Sequence, residues 1–329
     1  MIYLEFLKGQ GLGNQLWNYV TLRSISNKLG FGYEIINPEN FKGSSFLEIS
    51  YKGYANLENS QDCILDNNER NIFKEKLFYD KVFNSYSSDF DKEILKIKPN
   101  TIIKGLFQSE SYLFKNDIKK FIKLKKFEEN NFNILENTCI LNIRGGEYKR
   151  FKKLILPKSY WLNAIVNMRK IKQNINFRIV TDDYDYAKQL LPEVEILKGK
   201  INDDFCNLFY ADYLIVSNSS FSYFPITLGE KPKKIIAPSK WSRFGNDHDK
   251  WISPANYYKG WSYQNEKGEI ISSNEIRKLI KETRRVYSSY NILTTEESIN
   301  RKPQYSFIPS KFKKIIKKIL AKLFPLHIG

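Results

Sequence analysis

Residues 214–238 read LIVSNSSFSYFPITLGEKPKKIIAP, and this stretch decides the fold class. Leu214–Val216 is a short apolar run of the buried-strand kind. Ser217-Asn218-Ser219-Ser220 is small and polar. Phe221–Leu228 is apolar and helix-like, Gly229 is a stop, and Lys234–Ala237 is a second strand. The order is strand, loop, helix, strand, as in a parallel α/β sheet. Its hydroxyls sit where the sheet meets a helix N-terminus. Free backbone N–H groups and the helix dipole favour an anion such as a phosphate there. The same Ser and Asn residues also serve as plain helix caps.

The pattern continues upstream. Cys139–Ile143 is a strand ending in Arg144-Gly145-Gly146-Glu147-Tyr148. Ser159–Met168 is a helix, Phe177–Val180 a strand, and Thr181-Asp182-Asp183 its polar end. Tyr186–Leu191 and Asp203–Tyr210 are helical. At the amino end Ile2–Leu7 is a strand, Gly9–Gln15 a glycine-rich turn, Leu16–Leu29 a helix and Tyr33–Ile36 a strand, which makes a βαβ opening. Residues 40–100 are rich in Asn, Ser, Lys and Tyr with poor periodicity, so irregular chain with short helices is expected. Ile102–Phe107 is a strand, and the basic run Lys115–Lys126 is expected to be a solvated helix. Composition places a boundary near 127–137.

Bulk properties narrow the function. The chain has 329 residues, 42% hydrophobic, enough for two domains with real cores. The net charge of +17 suits a polyanionic partner such as phosphorylated substrates, an anionic membrane or nucleic acid. The charge is uneven, because residues 301–329 hold eight Lys/Arg and no Asp or Glu. In Lys311–Phe324 (KFKKIIKKILAKLF) the residues Phe312, Ile315, Ile316, Ile319, Leu320 and Leu323 share one helical face, with lysines on the other. That is a basic amphipathic helix suited to an anionic leaflet, or to the protein's own surface. Cys63, Cys139 and Cys206 are scattered without CxxC spacing, which fits a reducing compartment rather than a disulfide framework. With only His248 and His327, no zinc site and no histidine base is expected. The N-terminus lacks a signal peptide's basic n-region, and no apolar run approaches a membrane span.

Four polar clusters fall at strand ends: Gly9–Asn14, Arg144–Tyr148, Thr181–Asp183 and Ser217–Ser220. Ligands of open α/β sheets bind outside the carboxyl ends of the strands. One site lined by all four therefore suits a nucleotide sugar. Gly11 and Gly13 permit close backbone approach, Arg144 can bind phosphate bidentately, and Ser219 and Ser220 can donate hydroxyls. Asp182 or Asp183 can accept from a guanine's N–H groups. Each has a plainer alternative: Arg144 in a surface ion pair, the Asp pair as a helix N-cap.

The chain resembles the α-1,2-fucosyltransferase family, glycosyltransferase family 11. Gly11-Leu12-Gly13-Asn14-Gln15-Leu16 is similar to its GLGNQ signature. Leu106–Phe114, with Gln108-Ser109-Glu110-Ser111-Tyr112, resembles its QSxxYF element. Leu156-Pro157 with Tyr160-Trp161 and Ala164-Ile165 looks like the helix after its central loop. Val180–Asp183 matches its (S/T)DD strand end, and Ser217–Ser222 its SNSSFS segment. The match covers roughly residues 1–241. One departure stands out: the family's central HxRRGD reads Asn142-Ile143-Arg144-Gly145-Gly146-Glu147. The first arginine is kept, the second is Gly145, the His is Asn142 and the Asp is Glu147.

The resemblance implies two Rossmann-like domains facing across a cleft, the GT-B type. It implies an acceptor-side domain over 1–130 and a nucleotide-sugar domain over 135–290, to which the basic amphipathic helix adds a membrane-associating tail over 300–329. It implies inverting, metal-independent sugar transfer from a GDP-sugar to a hydroxyl of a surface glycan, with no separate cofactor. Arg144 would stabilise the leaving diphosphate. Gly11, Gly13, Asn14, Asn142, Asn218, Ser219 and Ser220 would line the donor, with Asp182 and Asp183 on its base. Glu147 is the candidate general base and Glu110 a second candidate. The tail implies a cytoplasmic enzyme peripheral to the inner face of the plasma membrane, in bacterial polysaccharide or lipopolysaccharide assembly. The altered central motif leaves open another donor, such as a GDP-hexose or GDP-heptose. An inactive glycan-binding relative is a further alternative. A nucleic-acid-binding protein fits poorly, because the charge sits in an amphipathic tail rather than along an aromatic-basic face.

Overall fold

The computed structural model describes residues 1–54, 70–80, 85–125, 137–229, 233–241, 253–287 and 291–294. Cys63, His248, His327, the tail 300–329 and nearly all of the expected boundary at 127–137 lie outside them.

The amino-terminal half opens with β1 (Ile2–Glu5), α1 (Leu12–Leu29) and β2 (Tyr33–Ile36), the expected βαβ unit. The region expected to be irregular with short helices carries a 3-10 helix at Lys92–Lys96 and, in addition, short strands: β3 (Leu47–Glu48), β4 (Lys52–Gly53), β5 (Asn71–Lys74), β6 (Lys76–Asp80) and β7 (Ser85–Ser88). Strands of two to five residues are too short to establish a period. After β8 (Thr101–Lys104) comes the basic run, which is not a helix. It forms a 3-10 turn at Ile118–Lys120 and then β9 (Lys123–Leu124), paired antiparallel with β3. Asp117 caps the short turn by accepting the N–H of Lys119, and Phe121 and Ile122 are buried against the core. Local capping and burial of two apolar residues override the lysines' helix propensity.

The first sheet has the order β4-β2-β1-β8-β5. Its β2, β1, β8 and β5 are mutually parallel, and β4 is an antiparallel edge.

The second sheet is the more regular. It contains β10 (Thr138–Ile143), α2 (Lys158–Ile171), β11 (Asn176–Thr181), α3 (Tyr184–Leu190), β12 (Glu195–Ile196), α4 (Ile201–Tyr210), β13 (Tyr213–Val216), α5 (Tyr223–Leu228), β14 (Lys234–Pro238), β15 (Ser262–Gln264) and β16 (Ile270–Ile271). Their order is β12-β11-β10-β13-β14-β15-β16, parallel except for β16. Counted from β10, the strands run third, second, first, fourth, fifth, sixth: the doubly wound order, with its switch point between β10 and β13. All six residues of β10 are buried, as a central parallel strand requires. Cys139, Leu141 and Ile143 pack toward α2 and α3. Ile140, with Leu214 and Val216 of β13, packs toward α4 and the opposite face.

The two α/β units meet through a buried seam. α1 is covered on nearly all sides, by the first sheet and by α5. Trp17 of α1 stacks on Tyr223 at 4.3 Å between ring centroids and lies against Phe224 and Tyr258. Phe46 and Phe205 meet edge to face across the same core. The carboxyl end of the chain returns to the first half. β17 (Asn291–Thr294) pairs antiparallel with β6, and Arg284 of α6 (Ser273–Tyr287) grips the carboxylate of Asp89 at 2.6 and 2.9 Å. Among the described residues no helix is long and apolar enough to cross a membrane.

Candidate functional site

The polar clusters converge where the two sheets present their carboxyl ends. The first turn of α1 meets the turn after β13 in close contact. A β-carbon on Gly13 would lie 2.6 Å from the amide nitrogen of Phe221 and 2.6 Å from the carbonyl carbon of Ser220. Only a residue without a side chain permits that approach. Asn14 joins the turns by hydrogen bonds: its Oδ1 accepts from the Ser220 hydroxyl at 2.8 Å and from Gln108 Nε2 at 2.8 Å. Gly11 is the N-cap of α1 in extended conformation.

Helix α5 starts at Tyr223, two residues later than the sequence suggests, and spans six residues. Residues 217–222 are turn. Ser219 Oγ accepts the N–H of Phe221 at 3.3 Å, and the Ser222 hydroxyl donates to the Ser219 carbonyl at 3.0 Å. Ser220 directs its proton to Asn14, so the Ser219 hydroxyl is the better placed of the two to donate to an anion. Asn218 donates to the carbonyls of Leu154 (3.0 Å) and Trp241.

Beside this turn, on the other flank of the switch point, lies the β10 end. Asn142 is buried there, and its carbonyl accepts the N–H of Ser217 at 3.1 Å. Three nearly inaccessible oxygens on residues of these strand ends have no hydrogen-bond partner: Asn142 Oδ1, Ser217 Oγ and Asn218 Oδ1. Buried oxygens left so cost about 1–3 kcal/mol each, and native structures contain few.

Arg144 follows directly. Its guanidinium binds Asp182 at 2.7 Å and Glu147 at 3.2 Å and lies 5.3 Å from the centroid of the Tyr148 ring. Tyr148 in turn donates to the Asn218 carbonyl at 3.2 Å, tying the two sides of the switch point together. Two carboxylates thus hold Arg144 in the ion-pair arrangement that was its plainer alternative. Glu147 is exposed, with its side chain at 66% accessibility.

The Asp pair is committed to structure. Asp182 Oδ1 accepts the N–H of Gly145 at 2.9 Å, in addition to its bond with Arg144. Asp183 caps α3 by accepting the N–H of Tyr186 at 3.1 Å and pairs with Lys149. Burial pushes the Asp183 carboxyl up. Bonds from Lys149 and from the N–H groups of Tyr186 and Gly146, with the lysine's charge, outweigh that and hold it below its ordinary range. The N-cap reading therefore describes Asp183 in this structure. Gly145 and Gly146 press on the same pair: a β-carbon on Gly145 would lie 2.7 Å from Asp183 Cβ and 2.7 Å from Tyr186 Cδ1.

Glu110 lies in the seam, away from Glu147. It accepts the Tyr223 hydroxyl at 3.1 Å and the N–H of Lys259 at 3.0 Å. Of the two candidate bases, then, one is exposed beside Arg144 and one is braced between the halves.

Sequence reasoning gave no role to several residues here. Gln108 and Asn256 are buried and linked, Asn256 Nδ2 donating to Gln108 Oε1 at 3.3 Å. Gln108 stood in a quoted motif, whereas Asn256 carried no signal. Asp204 sits in the first turns of α4. Burial, then the charges of Asp203 and Asp182, push its carboxyl up to about 7. No three His, Cys, Asp or Glu side chains among the described residues are grouped to hold a metal ion.

No protein-family model matches the chain, and no curated protein matches it. Among solved structures it is similar to the NodZ alpha-1,6-fucosyltransferase co-crystallised with GDP, at 14% identity and a TM-score of 0.37, covering 69% of this chain and 92% of that one. The fucosyltransferase NodZ from Bradyrhizobium gives a TM-score of 0.38 at 14% identity, covering 68% of this chain and 91% of that one. The apo form of POFUT1 gives 0.42 at 9% identity, covering 71% of this chain and 97% of that one.

Proposed function

We propose that the protein is a glycosyltransferase that takes a GDP-sugar at the switch point between β10 and β13 and passes the sugar to a glycan hydroxyl. The observation that carries this reading is the meeting of Gly13 and Asn14 with the Ser217–Ser222 turn, which Tyr148 ties to Arg144, at the carboxyl ends of the two central strands. A doubly wound sheet takes its ligand there. The sequence resemblance to glycosyltransferase family 11 supplies the donor class.

The residues divide the work as follows. The leaving diphosphate needs positive charge and N–H groups as the glycosidic bond to it breaks. Arg144 supplies the charge by exchanging a carboxylate for phosphate oxygens, and Ser219 donates a hydroxyl. The Gly11–Asn14 turn closes over the donor from the first half. Glu147 is the base that removes the acceptor's proton as its oxygen attacks the anomeric carbon, which gives inversion. The basic tail places the enzyme on the cytoplasmic face of an anionic membrane, where lipid-linked glycans grow.

The donor is tested by measuring GDP release from GDP-fucose, GDP-mannose and a GDP-heptose with the purified protein. Release from one donor, reduced at least tenfold in Arg144→Ala, supports the reading. Equal, slow release from all three in both proteins contradicts it. The glycine at position 145 favours a second reading, in which a GDP-hexose or GDP-heptose replaces GDP-fucose, and the same comparison of donors decides between them. Near-normal turnover in Glu147→Gln removes Glu147 from the mechanism.

A further inference from the structure

The first half of the molecule holds a buried carboxylate that none of the above uses. Glu75, between β5 and β6, is fully buried. Its Oε2 accepts two successive amides, from Leu106 at 2.7 Å and Phe107 at 2.9 Å. Its Oε1 accepts the hydroxyl of Tyr112 at 2.8 Å, and that hydroxyl accepts the N–H of Asp91 at 2.9 Å. The chain needs such a brace here. Phe107 has φ of 50°, the left-handed region that a bulky residue adopts only under constraint. The carboxylate and the complete burial of the Phe107 ring hold the twist.

The consequence lies one residue on. The twist presents Gln108 to the seam with both ends of its amide engaged. Nε2 donates to Asn14 Oδ1 at 2.8 Å, and Oε1 accepts from Asn256 Nδ2 at 3.3 Å. Turning the amide over would set donor against donor at Asn256 and acceptor against acceptor at Asn14. Asn14 Oδ1 then has one remaining direction, and the Ser220 hydroxyl fills it at 2.8 Å. A connected path thus runs from Glu75 through the Leu106–Phe107 amides, Gln108 and Asn14 to Ser220 in the opposite half.

We propose that Gln108 is a positioning residue for the nucleotide site: anchored by Glu75, it fixes Asn14 and through it the Ser217–Ser222 turn. The amino-terminal half then sets the affinity of a site built on the carboxyl-terminal sheet. This rests on the nucleotide reading of that site. The side-chain amide of Gln108 bonds to Asn14 and Asn256, and of these Asn14 is the one that bonds to the Ser217–Ser222 turn. An effect on nucleotide affinity therefore travels through Asn14.

A double-mutant cycle tests it. GDP is titrated calorimetrically into the wild type, Gln108→Leu, Ser220→Ala and the double variant, each first shown to melt cooperatively. The expected result is a dissociation constant raised roughly tenfold in Gln108→Leu, with the double variant little worse than Ser220→Ala alone. Gln108→Glu, which keeps the shape and sets carboxylate against Asn14 Oδ1, gives the same loss and stands in if Gln108→Leu does not fold. Affinity within twofold of wild type in the Gln108 variants, or losses that multiply across the cycle, overturns the proposal while leaving the nucleotide site intact. Absence of GDP binding in the wild type overturns the nucleotide reading itself, and this proposal with it.

Discussion

A β-carbon at position 145 has no space, because Asp183 and Tyr186 occupy it. The departure from the double arginine of glycosyltransferase family 11, which the sequence resembles, is therefore built into the local packing and is not a simple loss of charge. Gly145→Arg, which restores the resemblance, is expected to lower the melting temperature by several degrees without tightening GDP binding, and scanning calorimetry with GDP titration checks both. Overpacking of this kind costs about 1–3 kcal/mol. Gly13→Ala carries the same expectation more severely, since its new atom would meet the backbone of Ser220 and Phe221, which cannot swing aside. A urea-denaturation midpoint unchanged in Gly13→Ala would contradict the close approach of the two turns. The sequence was legible where chemistry and motif coincided: Gly13 and Asn14 meet Ser220, and Asp183 caps its helix as the N-cap reading expected. The pairing of Asp182 with Arg144 and of Asp183 with Lys149 depends on a loop conformation that residue types do not dictate.

Among the elements, β10, β13 and β14 of the second sheet were readable because they are apolar, largely buried runs followed by polar ends or loops; β12, β15 and β16 are two or three residues long and were not. α5 shows the limit of such reading. Ser219 and Ser222 bond within the turn, so the helix begins late and offers no extended run of free amides. The short strands between 47 and 88 were not legible because two to five residues show no period, and Lys115–Lys126 misled because Phe121 and Ile122 needed burial more than the lysines needed a helix. α3 gives a direct test. Asp183→Ala removes its N-cap and the partner of Lys149 and is expected to cost about 1 kcal/mol. Because the Asp183 carboxyl is held below its ordinary value of 3.8, its contribution is present above that pH and lost as pH falls through the lowered value. Denaturation curves of wild type and Asp183→Ala should therefore converge in strong acid; a gap that persists there would show that the cap works without its charge.

For the molecule as a whole, two buried carboxyls act in the opposite sense. Burial pushes Glu75 up from 4.5 to about 7, and burial with neighbouring acids pushes Asp204 up from 3.8 to about 7. Between those ordinary values and 7 the fold binds protons that the unfolded chain has released, so stability falls as pH rises through this window and levels above it. The protein is expected to melt a few degrees higher at about pH 5.5 than at about pH 7.5, with the difference reduced in Glu75→Gln. Equal melting temperatures at the two pH values would contradict the buried, raised carboxyls. The seam joins the two halves through stacked rings of Trp17, Tyr223 and Tyr258, which motif reading could not foresee because each half was legible separately. The proposed occupant of the β10–β13 switch point is a guanosine diphosphate. A thermal-shift comparison of GDP, UDP, CDP and ADP with wild type and Arg144→Ala tests this. A ligand that binds only the folded state raises the melting temperature. GDP alone should give a shift, lost in Arg144→Ala; no shift with GDP, or one that persists without Arg144, would rule that occupant out.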